Sequence, residues 1–426
     1  MSSDTTPATS DLSVSPNAFQ QLMLQWERLA PYNAAQYATL VDDIDLDTAR
    51  AAWRDASIAL GLQQLGQSPD AVVNCVSESI EAFVTRELNR PFVASESPLR
   101  PFVHRASSGC TSVGLFYRHA VADSASIRLL MRAWIERLLV LDLDSAGRRH
   151  LHLLRDDGVR LFDPRRRWSI LGELAADISR VSRSKRIRRL PATADPTSEV
   201  AWRRVEMPAG SVARLRALAK CEGVRVHDLF VAAAAMACDG RVPDEGLELR
   251  GDLGIGTIAD VRPFDRPPDR HFGLMLGFLQ TVWRRRDLSQ WPRVLAIAAG
   301  QSRIARERCL AEASVLRLLT AIRFNAHSSR QDLANFYRKR CPLAAGISNV
   351  NLNRGWPATL HPNPIRAYTR VSPLGPMLPL VFTPTTLGDS LHLGVTHRTS
   401  VVSEADVDAI VDAFVRRLDF ESRHMK

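Results

Sequence analysis

Cysteine is scarce and scattered in this chain of 426 residues, which contains six of them and no CxxC pair. This pattern excludes a disulfide framework and zinc-finger spacing, and no cluster of Cys, His and Asp has the spacing of metal ligands. We therefore expect free thiols in a reducing cytoplasm and no metal site.

Long apolar runs and the signature of a signal peptide are also absent. No run of about 18 apolar residues occurs, so no transmembrane helix is expected. The polar segment 1–16 lacks both a basic and an apolar region, which predicts a disordered tail. Apolar residues still make up 45% of the chain, enough for a sizeable core, and the length suggests two domains or one large one.

The most informative stretch is an alternating strand over residues 111–118 followed by an amphipathic helix over 124–140. His119 follows the strand, and Asp123 or Ser124 can cap the first turn of the helix. A histidine at a strand end can act as a general base, because its pKa lies near neutrality. An aspartate four residues on can orient the loop. The short HxxxD pattern alone also fits a loop histidine beside a helix cap.

The residues around this pattern resemble the core of the coenzyme A-dependent acyltransferase superfamily. That group includes chloramphenicol acetyltransferase, peptide-synthetase condensation domains, wax ester synthases and polyketide-associated acyltransferases. Its HHxxxDG signature places the second histidine, the family's base, on His119 and the aspartate on Asp123. Two positions depart from the signature, since Arg118 replaces the first histidine and Ser124 replaces the glycine.

A strand predicted over residues 253–259 ends at Arg262 and resembles the superfamily's D-x-R strand, which precedes a G-x-x-x-G-F segment. The resemblance implies that Arg262 forms a structural ion pair with Asp123, and a surface arginine is the alternative. Glycines in DLGIGT do not indicate a phosphate loop, because no GK[ST] follows them.

The segment AAGISNVN over residues 344–351 resembles a strand of the wax ester synthases and polyketide-associated enzymes. The resemblance implies that Ser348 and Asn349 lie beside the base and donate hydrogen bonds to the oxyanion of a tetrahedral intermediate. The alternative is that both side chains satisfy a strand end. His227 and Asp228 are interpreted as a helix cap.

The order of elements over residues 16–420 resembles the same superfamily and implies its α/β fold, in which two halves meet at a central tunnel. Each half would be a mixed β-sheet flanked by helices. The predicted division is an N-terminal half over 17–180, a basic crossover linker over 181–197 and a C-terminal half over 198–426. The pattern predicts a strand over 200–206, and two helices that Ser211 and Ser403 would cap.

Positive charge is concentrated in one part of the chain, whose formal net charge is +10. Residues 148–189 contain 13 Lys and Arg against 5 Asp and Glu. Such a stretch can attract coenzyme A phosphates, an acidic carrier protein or an anionic membrane surface, and a solvated linker is the alternative. Nucleic acid is not expected as a partner, because aromatic residues are few among the charges and no reading motif occurs.

Together these features predict an acyltransferase of secondary or lipid metabolism. It would move an acyl group from coenzyme A or an acyl-carrier thioester to a hydroxyl or amine of a small acceptor. His119 would be the base, and no permanently bound cofactor is expected. The alternatives are a catalytically degenerate domain that binds carriers or a partner protein, and a peripheral enzyme of the inner membrane that binds through Arg148–Arg189.

Overall fold

The protein is known here from a computed structural model, which describes most of the chain. The described residues are 16–62, 72–75, 78–93, 95–106, 109–139, 152–153, 172–173, 184–191, 198–243, 250–262, 271–340, 342–356, 364–376 and 378–419. Most of the basic stretch 148–189 and nearly all of the tail 1–16 lie outside these ranges. Of the linker 181–197, the structure describes residues 184–191.

Both halves contain helices and strands. The helices are α1 Ala18–Glu27, α2 Leu46–Ala59, α3 Ile80–Asn89, α4 Ser124–Leu138, α5 Ser211–Cys221, α6 Val226–Cys238, α7 Trp291–Glu307, α8 Leu310–Phe324, α9 Arg330–Arg340 and α10 Glu404–Leu418. The strands are β1 Asn33–Leu40, β2 Val73–Cys75, β3 Leu99–Arg105, β4 Thr111–Arg118, β5 His152–Leu153, β6 Val200–Glu206, β7 Leu253–Asp260, β8 His271–Phe272, β9 Leu276–Trp283, β10 Ala345–Ile347, β11 Val350–Asn351, β12 Ile365–Val371, β13 Leu380–Leu387 and β14 Ser390–Arg398.

Two large sheets and a two-stranded one, in which β5 pairs with β8, organise the described elements. The first has the order β12-β1-β4-β3-β2 and contains both antiparallel and parallel pairs. The second has the order β6-β14-β13-β10-β7-β9, with β11 added beside β13, and is also mixed. Two mixed sheets with flanking helices confirm the predicted α/β class.

Strand β4 and helix α4 pack as their sequence patterns predict. Val113, Leu115 and Tyr117 alternate along β4 and are buried in the same core as α4. The helix begins after Asp123, whose carboxylate accepts a hydrogen bond from the Ser126 N–H at 2.9 Å. This cap fixes the point at which the chain leaves the strand and enters the helix.

The second core surrounds helix α6, which is buried on nearly all sides. Its alanines allow the sheet and α10 to approach closely, and Phe382 of β13 stacks on Phe414 of α10 at 4.4 Å between ring centroids. The helix starts with a capping box, in which Asp228 accepts a hydrogen bond from the Arg225 N–H at 3.0 Å. Asp228 therefore has the capping role predicted from the sequence.

Strand β12 joins the two halves. It follows the first strands of the second sheet in the chain but pairs with β1 of the first sheet, with Arg370 opposite Gln36. The described part of the linker is docked on the second half, because Ile187 bridges to Asp252 beside β7 and Arg188 forms an ion pair with Asp239 at 2.7 Å.

The Ser211 cap predicted from the sequence is wrong. Gly210 is the N-cap residue of α5, with a φ of 75°, and having no side chain it supplies no capping bond. Ser211 is already inside the helix, and its hydroxyl donates to the Pro208 carbonyl. A left-handed turn at glycine costs little, so the chain enters this helix one residue earlier than a serine cap would require.

Membrane-spanning helices, disulfides and metal sites were not expected from the sequence. No helix among the described residues has the length and hydropathy to cross a membrane. Cys110, Cys221, Cys238 and Cys309 are free thiols. Within the same residues, no group of three His, Cys, Asp or Glu side chains has the arrangement of a metal site.

Candidate active site

His119 lies just beyond the end of β4 and is 7% exposed. Its backbone N–H donates to the Tyr32 carbonyl at 3.1 Å, which anchors the loop to the start of β1. The imidazole lies between the rings of Tyr32 and Tyr117, with centroid distances of 5.5 and 5.7 Å. Since alternate residues of a strand share a face, His119 continues the buried face of Tyr117.

The imidazole of His119 is neutral at physiological pH. Burial lowers its pKa to about 4, and the positive charge of Arg370 acts in the same direction. Its own backbone carbonyl and the Asp123 carboxylate act in the opposite direction, although Nδ1 makes no hydrogen bond of ordinary geometry. No hydrogen bond from a described residue reaches Nε2, so this atom can accept a proton from a substrate.

Asp123 and Arg262 form a buried ion pair. The Arg262 guanidinium donates to the Asp123 carboxylate at 2.6 Å, and the two side chains are 4% and 0% exposed. Burial alone would raise the pKa of the Asp123 carboxyl, but Arg262 and two backbone N–H groups hold it below its ordinary value. Arg262 also pairs with Asp260 at 3.1 Å. The carboxylate is therefore ionised and fully engaged.

A loop of the second half holds the other side of Asp123. The Asp123 N–H donates to the Gly273 carbonyl at 2.9 Å, and the Met275 N–H donates to the carboxylate at 3.0 Å. The Ser126 hydroxyl donates to the Gly273 carbonyl at 2.9 Å. Gly273 has a φ of 149°, which a residue with a Cβ rarely adopts. This glycine allows the backbone to pass close to the carboxylate.

Arg118, in the position of the first signature histidine, points to helix α1. Its guanidinium donates to the Glu27 carboxylate at 2.8 and 2.5 Å. This half-buried ion pair ties the end of β4 to the first helix. Arg118 therefore has a partner away from His119.

Ser124, in the position of the signature glycine, is the centre of a polar cluster. Its hydroxyl accepts hydrogen bonds from Gln36 at 3.0 Å, Arg128 at 3.2 Å and Arg370 at 2.8 Å. Gln36 in turn accepts a bond from the Tyr368 hydroxyl at 2.6 Å. We call these five residues, with Tyr117, the Ser124 cluster.

Ser348 joins this cluster, whereas Asn349 points elsewhere. Arg370 donates to the Ser348 hydroxyl at 2.7 Å and to its carbonyl at 2.9 Å. Asn349 Oδ1 lies 2.6 Å from His227 Nδ1 at the start of α6, and the imidazole donates because a side-chain carbonyl oxygen only accepts. No hydrogen bond within the described ranges connects either residue to His119.

Four residues of the Ser124 cluster were not predicted from the sequence: Gln36, Arg128, Tyr368 and Arg370. Arg370, which precedes Val371 at the end of strand IRAYTRV, is a signal, because an arginine is costly to bury without a function or a partner. Its neighbours could not be inferred, since Gln36 and Tyr368 are 332 positions apart and meet only through the pairing of β1 with β12. His227 was interpreted only as a cap, and it also orients Asn349.

His392 and His397 lie in β14. His397 Nε2 is 2.9 Å from the Glu404 carboxylate, which is consistent with a strand residue that contacts the next helix. His392 faces Glu206 in the strand register. Neither belongs to the Ser124 cluster.

A cleft opens between the two halves. It is lined by Pro31 and Asn33 of the first half and by Ser198, Leu374 and other residues of the second. The cleft therefore flanks Tyr32, whose carbonyl holds the backbone of His119. His119 itself does not line it.

The fold is similar to that of several solved proteins. The condensation domain of the monacolin K polyketide synthase MokA matches with a TM-score of 0.62 and 12% identity, over 96% of this chain and 97% of that one. The trichothecene 15-O-acetyltransferase TRI3 of Fusarium sporotrichioides matches with a TM-score of 0.67 and 11% identity, over 95% and 94%. The X-domain from teicoplanin biosynthesis matches with a TM-score of 0.61 and 16% identity, over 96% and 95%.

No family model and no curated protein matches the sequence. The structural similarities nevertheless cover nearly the whole chain in both directions. The chain has the two-lobed α/β fold of condensation domains and chloramphenicol acetyltransferase-like enzymes, as the resemblance implied.

Proposed function

We propose that the protein is an acyltransferase that moves an acyl group from a thioester to a hydroxyl or amine acceptor. The observation that carries the proposal is His119, a buried neutral imidazole at a strand end, next to a loop fixed by the Asp123–Arg262 pair. The similarity of the fold to an acetyltransferase and to condensation domains supports the same reaction class.

In this mechanism Nε2 of His119 removes the proton from the acceptor as the acceptor attacks the thioester carbonyl. The carbonyl π electrons move to oxygen and give a tetrahedral intermediate. Its collapse re-forms the carbonyl, breaks the carbon–sulfur bond and releases a thiolate, which takes the proton from His119. The enzyme therefore returns to its starting state without a covalent intermediate.

Ser348 is one of the two proposed oxyanion donors. Because Arg370 donates to its oxygen, the Ser348 hydroxyl hydrogen is free to point toward an oxyanion. Asn349 retains its side-chain N–H groups, since its carbonyl oxygen accepts from His227. One such donor is worth about 2.7–4 kcal/mol in acyl transfer.

Asp123 and Arg262 have a positioning role in the proposal. Both are bonded to each other and to backbone or neutral groups, so neither is free to exchange a proton with substrate. Their pair holds the loop that follows His119 against the second half. The proposed donor is coenzyme A or an acidic carrier protein in the cytoplasm.

The test is thiol release from a panel of acyl-coenzyme A and acyl-carrier thioesters with pooled alcohols and amines. We expect acceptor-dependent release by the wild type and at least about a 100-fold loss in His119→Ala, because general base catalysis contributes that much or more. His327→Ala, at an exposed position, is the matched control and should keep full activity. Full activity in His119→Ala would overturn the mechanism.

A second candidate is a domain that binds thioesters or a partner without catalysis. Two observations favour it: Arg118 is engaged by Glu27 where the signature has a histidine, and Ser124 is fixed by three donors where it has glycine. One similar structure is a complex of the teicoplanin X-domain with OxyB. Absent thiol release, with thioesters still raising the melting temperature, would support this candidate.

A further inference from the structure

Among the described residues, Arg370 is a buried cation without a carboxylate partner. The residue is 3% exposed, and its guanidinium donates hydrogen bonds to neutral oxygens of Ser124 and Ser348. Buried charges in proteins are normally paired, because desolvation is costly. Among the residues that the structure describes, no carboxylate lies within ion-pair distance of this guanidinium.

Arg128 lies beside it and is partly buried. Its guanidinium donates to the same Ser124 hydroxyl at 3.2 Å, and it forms no ion pair in the described part of the chain. Burial, followed by repulsion from Arg128, lowers the pKa of Arg370 to about 9, so the group is still protonated at neutral pH. Two cations therefore share one neutral ligand.

The carboxylates that act electrostatically on Arg128 are already used. Asp123 and Asp260 both pair with Arg262, and neither forms an ion pair with Arg128 or Arg370. A guanidinium has five N–H donors, and Arg370 uses three of them. Two donors on its terminal nitrogens remain for a ligand.

The uncompensated charge lies next to the proposed base. Arg370 stands opposite Gln36 in the sheet, and Gln36 contacts Tyr117 at 3.5 Å on the face that continues to His119. Ser124, which both arginines bind, directly follows Asp123 of the motif. A substrate group bound by these arginines would be close to the reacting atoms.

We propose that Arg370, assisted by Arg128, binds a carboxylate carried by one of the two substrates. This assignment rests on the proposed function and names its substrate class, an acyl donor or an acceptor with a free carboxylate. Arginine suits the task, because its planar fork matches the two carboxylate oxygens.

Binding is tested with pairs of ligands that differ in the carboxylate alone. The donor pair is succinyl-coenzyme A and its neutral methyl ester, and the acceptor pairs are hydroxy acids and their methyl esters. Isothermal titration of the full-length protein measures each affinity without turnover. Hydrogen bonds to charged groups are worth about 1.5–3 kcal/mol, so the wild type should prefer the acid of one pair by about 10- to 100-fold. The preferred pair identifies which substrate carries the group.

Variants separate recognition from a structural role. Arg370→Gln should abolish the preference and leave the affinity for the ester unchanged, while Arg370→Lys should retain part of it. Arg128→Gln, which should reduce the preference, serves if Arg370→Gln does not fold. Arg303→Gln removes an exposed arginine of α7 and should change nothing.

Two results would overturn the assignment: no preference for any acid in the wild type, or an unchanged preference in Arg370→Gln and Arg128→Gln. An Arg370-dependent preference without any thiol release would uphold the anion site while acyl transfer fails. Thiol release with neutral substrates, at the same selectivity in wild type and Arg370→Gln, would instead uphold acyl transfer and refute the anion site.

Discussion

Burial of the His119 imidazole decides its protonation. The ring lies between two tyrosine rings, and its desolvation outweighs the attraction of the Asp123 carboxylate. A neutral imidazole is needed for proton removal, so the buried position keeps the proposed base in its active form over a wide pH range.

The pH dependence of kcat/KM tests this position directly. Because the pKa of His119 is lowered to about 4, we expect no ionisation of this residue between about pH 5.5 and 8. The acidic limb of the profile should lie well below pH 6. A limb near 6.5, the ordinary value for histidine, would contradict a buried neutral base.

The lowered pKa of His119 also makes the free energy of unfolding depend on pH, and this dependence is a control for the kinetic profile. Between pH 6.5 and about 4 the unfolded chain binds a proton there that the folded chain does not. The stability from this residue is therefore complete above pH 6.5 and falls toward pH 4, by on the order of 3 kcal/mol. Unfolding of wild type and His119→Gln over this range should show a flatter slope for the variant.

Sequence could identify single residues where a motif carries them. His119, Asp123 and Arg262 are recognisable from HxxxD and D-x-R, and the structure contains the Asp123–Arg262 pair at 2.6 Å. Their catalytic and positioning roles stay predictions. Arg370 was not recognised, because its importance depends on the lack of a carboxylate partner among the described residues. Only the three-dimensional arrangement shows which carboxylates are too far away to pair with it.

Helices and strands could be predicted from the sequence where local residue patterns determine their bounds. The bounds predicted for β4 and β6 agree with the structure, as does the Ser403 cap predicted for α10, since alternation and a capping serine act within a few residues. Helix α4 ends at Leu138, close to the predicted residue 140. The helix start at Gly210 was missed, because a left-handed glycine replaces the side-chain cap that the pattern predicts.

Gly114 of β4 tests how tightly the strand that leads to His119 is packed. A Cβ there would lie 2.4 Å from the Phe102 ring and 2.5 Å from Tyr37 Cβ. We expect Gly114→Ala to destabilise the fold by about 1–3 kcal/mol, the usual cost of overpacking. Chemical denaturation of the variant measures the change.

Gly300 is the matched control. It lies inside helix α7, where an added Cβ would meet nothing within 4 Å. Alanine is the better helix former, so Gly300→Ala should stabilise the protein by about 0.5–1 kcal/mol. Equal effects of the two substitutions would mean that β4 can move away from Phe102, against the packing described above.

At the scale of the whole molecule, the site exists only where the halves meet. Strand β12 supplies Arg370 to the first sheet, and the 273–275 loop and Arg262 of the second half hold Asp123. The resemblance implied two halves around a central site. It could not show that β12 pairs with β1 of the first sheet, because strand pairing between distant segments has no signal in a single sequence.

The Asp123–Arg262 pair should therefore couple the stability of the two halves. Arg262→Met leaves a buried carboxylate without its cation, which we expect to cost about 3–5 kcal/mol. Asp123→Asn should also destabilise, whereas the double variant should lose less than the sum of the two. Equilibrium unfolding of the four proteins gives the coupling energy, expected at about 0.5–3 kcal/mol.

The exposed pair Arg303–Glu307 on α7 provides the comparison, with side chains 62% and 56% exposed. Solvent screens such a pair, so Arg303→Met should cost about 1 kcal/mol or less. If Arg262→Met costs no more than Arg303→Met, or if the Asp123 and Arg262 effects add, the pair does not hold the halves together. The loop after His119 would then depend on the backbone bonds of Gly273 and Met275 alone.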